Sequence, residues 1–200
     1  MEELLTNGFE NIFLLTNNVE LFKPYNINLF DYSPEQFSFF DKLTICKIAL
    51  EKFENVIYLD CDSRIDLNEL KTYQVIEGIT TSQHWLDGEL KVFYELEKYN
   101  TSYFISINDY CEKNNLKIND APLIEERLFT LSRTKQTEDF LNLFFDLRTV
   151  FENNDIEHGN YPVGRAEGLA MGISIINSNI KHNEKDEGLI KLNLKHLPNE

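Results

Sequence analysis

Asp60 and Asp62 stand one residue apart at the end of the apolar run Val56-Ile57-Tyr58-Leu59. A short run of β-branched and aromatic residues has the length and composition of a buried parallel strand. In open α/β sheets, ligands bind at the carboxyl ends of the strands. Two carboxylates in that place make a hard-oxygen site suited to Mg²⁺ or Mn²⁺ carrying phosphates. The plainer alternative keeps Asp60 as a cap at the strand–loop junction and Asp62 as a turn residue. Cys61, between them, reads as a small filler.

The elements around this pair read as an α/β chain. Met1 to Asn7 has the character of the last turns of a helix, with Gly8 as its stop. Asn11 to Thr16 reads as a buried strand, Asn17-Asn18 as a turn, and Ile27 to Phe30 as a second short strand. Ser33 and Pro34 form a helix start, as N-cap and first helical residue. Phe37 to Phe53 then has helical periodicity through Phe39, Leu43, Ile45 or Cys46, Ala49, Leu50 and Phe53, and feeds the strand at Val56. Strand, strand, helix, strand with short links predicts a mostly parallel central sheet flanked by helices, with a right-handed crossover.

Downstream, Leu67 to Lys71 reads as a helical turn and Val75 to Thr80 as a strand. Thr81 to Gly88 is a polar loop holding Trp85. Glu89 to Tyr99 and Ser102 to Asn114 are two helical segments. Pro122 to Leu131 alternates toward a strand. Thr137 to Asn153 places Phe140, Leu141, Phe144, Leu147, Val150 and Phe151 on one helix face. Asn154 to Gly164 is a loop, Ala166 to Ile180 a helix despite two glycines, and Leu189 to Leu194 a last strand. No internal repeat or low-complexity linker appears.

At 200 residues the chain fits one domain, 1–200, with a real core. Its 42% hydrophobic and 12% aromatic content is that of a globular chain, not a disordered one. A net charge of −15 argues against a nucleic-acid surface, which needs clustered Lys and Arg. It leaves a nucleotide ligand open, because a metal ion screens local repulsion. Three widely spaced cysteines, Cys46, Cys61 and Cys111, show no zinc spacing and point to a reducing compartment. The N-terminus is acidic where a signal peptide is basic, and no apolar run approaches a membrane span. A cytoplasmic chain is the expectation, with peripheral membrane contact left open.

Three features together resemble the GT-A group of glycosyltransferases, which use nucleotide-sugar donors. Asp60-Cys61-Asp62 after Val-Ile-Tyr-Leu matches the group's Asp-x-Asp signature. Phe39-Phe40-Asp41-Lys42-Leu43 resembles the helix that commonly carries a lysine just ahead of that strand. Arg165-Ala166-Glu167-Gly168-Leu169-Ala170, after a long helix, resembles the acceptor-side region. The resemblance implies hexosyl transfer from a nucleotide diphosphate sugar to a saccharide, lipid or protein acceptor, with Mn²⁺ or Mg²⁺ steadying the departing diphosphate.

Carried over, Asp60 contacts the ribose or the metal, and Asp62 binds the metal. Lys42 reaches a phosphate as a point charge; its alternative is a solvated helix lysine. Arg64 could act likewise, or pair with Asp66 or Glu69. Metal sites in the group often add a late histidine, for which His158, beside Gly159, ranks ahead of His182 and His196. Glu167 is the candidate for acceptor recognition or general base, against a first-turn role facing the helix dipole. Asp87, Glu125 and Glu126 compete with it. Trp85 could stack on a sugar ring. The group usually opens with a strand ahead of its first helix that helps hold the nucleobase. This sequence opens where that helix would be ending, so the expectation is either a shortened start or a member in which the first strand is replaced or dispensed with.

Three rivals stand beside this reading. Val-Ile-Tyr-Leu-Asp-x-Asp also resembles the nucleophile strand of haloacid-dehalogenase-like phosphatases, where the first Asp attacks phosphorus and the second is acid/base. Arg64 stands where that group usually has threonine or valine, and its late paired acids are not evident. A non-catalytic interaction module is the second rival. A nucleotidyltransferase, the third, lacks the glycine-rich basic loop it would need near the N-terminus.

Overall fold

Alternation along one strand sets the layers of this molecule. The computed structural model describes residues 1–31, 41–81, 84–85, 101–118, 121–124, 126–152, 166–184, 187–192 and 194–196. Strand β3, Asn55–Leu59, sends Val56 and Tyr58 toward the main core and Ile57 and Leu59 toward a smaller one. Successive side chains on a strand point to opposite faces, so one pentapeptide serves two cores.

Before β3 come α1, Glu2–Thr6, β1, Phe13–Thr16, α2, Val19–Phe22, β2, Asn28–Asp31, and α3, Asp41–Leu50. After it come β4, Ser63–Arg64, α4, Leu67–Thr72, β5, Ile79–Thr81, and β6, His84–Trp85. The chain continues with α5, Thr101–Lys113, β7, Leu123–Ile124, β8, Leu128–Ser132, and α6, Lys135–Glu152. It ends in α7, Ala166–Ser178, β9, His182–Asn183, α8, Glu187–Lys191, and β10, Lys195–His196.

The fold is mixed α/β, and the pairing of its sheet departs from the expected mostly parallel one. The largest sheet runs β3-β8-β5-β9. Strand β8 lies antiparallel to both β3 and β5, while β5 and β9 pair in parallel. The cause is topological: β8 returns between two strands that share a direction, so both its neighbours oppose it. β1 and β2 form a separate parallel pair. Two two-residue ladders, β4 with β10 and β6 with β7, complete the pairing among the described residues.

Helices α3, α6 and α7 cover one face of the large sheet through Leu43, Cys46, Phe140, Phe144, Leu147, Leu169 and Ile173, all buried. Residues 167–175 of α7 are buried on every side, as expected of a helix that is apolar all round. Gly172 makes this possible: a Cβ there would overlap the backbone carbonyl of Pro122. Leu189 and Leu192 pack with Leu128 on the opposite face.

Local signals explain most of the ends. Thr134 caps α6, its Oγ1 accepting from Thr137 N at 3.0 Å. Asp66 caps α4, accepting from Asn68 N at 2.9 Å and Glu69 N at 3.2 Å. Gly8, at φ 83°, ends α1 as read from the sequence.

Several boundaries differ from expectation. The segment read as one strand over Pro122 to Leu131 is two, β7 and β8, joined by a turn. The strand expected at Val75 to Thr80 is confined to Ile79–Thr81. Leu189 to Leu194, expected as a strand, begins inside α8, because Leu189 and Leu192 face one small core at helical spacing. His84 and Trp85 form a short strand where a loop was expected. The expected helix start at Ser33-Pro34, the helix Glu89 to Tyr99 and the loop Asn154 to Gly164 lie outside the described residues.

Candidate functional site

The parity that splits β3 between two cores carries Asp60 onto the same face as Val56 and Tyr58. The Tyr58 hydroxyl reaches along this face and donates to Asp60 Oδ1 at 2.5 Å. Tyr58 itself is held by stacking on Phe129 of the neighbouring strand, with ring centroids 4.8 Å apart. Burial, then the adjacent Asp60 carboxylate, pushes the Tyr58 phenol far above its ordinary range, so it stays a donor.

The first turn of α3 brings Lys42 over the same strand end. Its Nζ lies 3.2 Å from Asp60 Oδ2, 3.5 Å from Glu167 Oε1 and 3.8 Å from Glu126 Oε1. Glu126 stands in the turn between β7 and β8, and Glu167 in the first turn of α7. Four segments distant in sequence thus converge on one ammonium group. Next to it, Asp41 pairs with Arg148 at 2.8 Å, tying α3 to α6.

This cluster is largely out of water. The Lys42 side chain is 13% exposed, that of Glu126 16% and that of Glu167 3%. Burial alone would lower the Lys42 pKa. The Glu126, Glu167 and Asp60 carboxylates more than offset it and hold the ammonium above its ordinary value. Burial pushes the Glu167 carboxyl up, against the pull of Lys42 and of hydrogen bonds including one with Glu126. Among the described residues, Glu167 Oε2 has no hydrogen-bond partner.

The two signature acids part company. Asp60 lies inside the cluster, whereas Asp62 is exposed, with Ser63 Oγ donating to its Oδ1 at 3.4 Å. Cys61 between them is exposed too, and burial with the two flanking carboxylates raises its thiol pKa. For a divalent cation the fit is therefore divided. Asp62 offers an exposed hard-oxygen donor, while both oxygens of Asp60 are engaged by Tyr58 and Lys42. Among the described residues no group of three or more His, Cys, Asp or Glu side chains is arranged around a metal position. His158 lies outside the described residues, as do Asp87, Glu125 and the side chains of Trp85 and His196. His182 sits elsewhere, its Nε2 3.0 Å from Thr81 Oγ1 and its Nδ1 3.4 Å from Glu184. Arg64 pairs with Glu3.

Sequence reading thus named Lys42, Asp60, Glu126 and Glu167 separately, and folding brings them together. Tyr58 went unnamed, although its place two residues before Asp60 on a strand was the available signal. The chain matches no protein-family model, no curated protein and no solved structure. Among the described residues no helix is long and apolar enough to cross a membrane.

Proposed function

We propose that this chain is a GT-A-like glycosyltransferase that moves a hexose from a nucleotide diphosphate sugar to a saccharide, lipid or protein acceptor. The observation that carries the reading is the meeting of Asp60, Lys42 and the buried Glu167 at the carboxyl end of β3. Ligands of α/β sheets sit in that position. The strand directions support it as well: β3, β5 and β9 share one direction, with β8 alone reversed in the large sheet.

In this reading Asp62, the exposed acid, holds Mn²⁺ or Mg²⁺, with His158 as a further sequence-level candidate. When bound, the cation supplies charge against the departing diphosphate. Lys42 adds a fixed positive charge beside it, and Tyr58 keeps Asp60 oriented toward the ribose. Glu167 takes the proton of the acceptor hydroxyl, its burial raising its basicity.

A second reading is favoured by the closure of the ion cluster. Lys42 pairs with Asp60, Glu126 and Glu167 at once, as a structural pin in a non-catalytic module would. One experiment separates the two. Nucleotide diphosphates with Mn²⁺ are screened by thermal shift on the wild type and on Asp62→Ala. A Mn²⁺-dependent rise in Tm is expected for the wild type and its loss for the variant, whose ligand-free stability stays within about 0.5 kcal/mol of the parent's. An equal shift in both proteins removes the metal role, and no shift in either leaves the structural pin.

A further inference from the structure

Arg64 has Asp66 and Glu69 close by in sequence, yet it pairs with Glu3, 61 residues away. Asp66 is taken up in capping α4. Strand pairing sets a second cation beside Arg64: in the β4–β10 ladder its partner across the strands is Lys195. Directly opposed residues of an antiparallel pair carry their side chains on one face, and like charges there repel. An anion beside them relieves that repulsion, and the Glu3 carboxylate is the anion that Arg64 holds.

A third cation meets the same helix. Lys71 Nζ donates to Asn7 Oδ1 at 3.2 Å. Glu3 and Asn7 lie one turn apart on α1, and Asn7 Nδ2 donates to Glu3 O at 2.9 Å. Residues four apart share a helix face, so one face of α1 touches both Arg64 and Lys71. In a chain of net charge −15, three cations thus collect beside one short acidic helix.

The helix is lightly held. It has five residues, none of them buried, and a helix of that length has little stability of its own. The Arg64 and Glu3 side chains are each more than half exposed, and an exposed ion pair is weak. Glu2 turns aside to accept from the Tyr25 hydroxyl at 2.9 Å. A phosphate carries more charge and more acceptor oxygens than a carboxylate, and a guanidinium grips either with the same fork.

We propose that Arg64, Lys195 and Lys71 form a binding site for a phosphate group, and that α1 closes it by placing its own Glu3 carboxylate on Arg64. Three cations are more than one carboxylate neutralises, which favours a phosphate as the ligand. The phosphate displaces Glu3, so α1 is an internal competitor. A diphosphate and a single free phosphate are the two sources of this chemistry. The inference stands apart from the metal role of Asp62, because binding is read with chelator present and no divalent cation.

The test is calorimetric titration of pyrophosphate and of orthophosphate at low ionic strength, where exposed charges are least screened. The wild type is compared with Glu3→Gln, Arg64→Gln and Glu10→Gln. Glu3→Gln should bind pyrophosphate about tenfold or more tightly than the wild type, because the competing carboxylate is gone. Arg64→Gln should lose the binding. Glu10→Gln makes the same change in net charge away from the latch and should stay within about twofold of the wild type. Pyrophosphate binding more tightly than orthophosphate supports a diphosphate site, and equal binding supports a single-phosphate one. Equal affinity in the wild type and Glu3→Gln overturns the proposal, as does no binding in Glu3→Gln. An equal gain in Glu10→Gln overturns it too, since net charge alone would then explain the effect.

Discussion

At the Lys42 ammonium, three carboxylates share one cation in a site mostly closed to water. Removing that cation leaves Asp60, Glu126 and Glu167 facing one another, and breaking such a buried set costs about 3 kcal/mol. Lys42→Met should lower stability by that order in urea unfolding. Adding Glu126→Gln should recover part of the loss, because coupled charges are not additive. Glu167 makes a second test, through pH. Its folded pKa is raised by burial, so the fold favours the protonated acid. That contribution is full below the unfolded value of 4.5 and fades as pH rises through the folded one. Glu167→Gln should therefore gain stability relative to the wild type as pH climbs from about 4.5 toward neutrality, read from Tm against pH. Under the transferase reading the same variant should also lose about 10²-fold or more of the transfer rate. Asp60 was legible in the sequence because an acid at a strand end stands out locally, and Lys42 because the helix ahead of that strand resembles the lysine-bearing helix of the GT-A group. Their meeting with Glu126 was not, since no pattern within one segment reports the face of another.

Among the elements, α7 shows how strongly packing overrides propensity. Glycine inside a helix costs up to about 1 kcal/mol against alanine, yet Gly172 lies in the most buried helix of the described residues. It is there because the Pro122 carbonyl occupies the space a Cβ would need. Gly172→Ala should therefore destabilise, by about 2 kcal/mol or more, where an exposed helix would gain. A melt that shows the variant more stable would remove the close approach of α7 to residue 122. Helix α6 was legible down to its buried residues, Phe140, Leu141, Phe144 and Leu147, because an amphipathic period of 3.6 is a one-segment property. The tail read as a strand over Leu189 to Leu194 failed for the opposite reason. A short apolar run fits either period, and only its packing on Leu128 selects the helix.

Over the whole molecule, burial is uneven. The core lies between the large sheet and α3, α6 and α7, while residues 1–31 remain without a buried member. Local opening follows burial. Chymotrypsin at low dose should cut within 1–31 first and leave a fragment carrying α6 and α7, identified by mass spectrometry. First cuts inside α6 or α7 would contradict this distribution of stability.

The α/β class, the acid pair after β3, the amphipathic helices and the separate candidacy of Lys42 and Glu167 were determined by sequence alone. The acid pair and the helices rest on spacing within a single segment, where side-chain direction follows from the backbone period; the class rests on the order of segments, and Lys42 and Glu167 on the resemblance to the GT-A group. The reversal of β8, the split between the β1–β2 pair and the large sheet, the turning of Asp62 to solvent and the capture of Asp60 by Tyr58 and Lys42 were decided only in three dimensions. Those outcomes depend on which segments lie side by side, and it is the burial of distant surfaces against one another that chooses among the arrangements a local pattern allows.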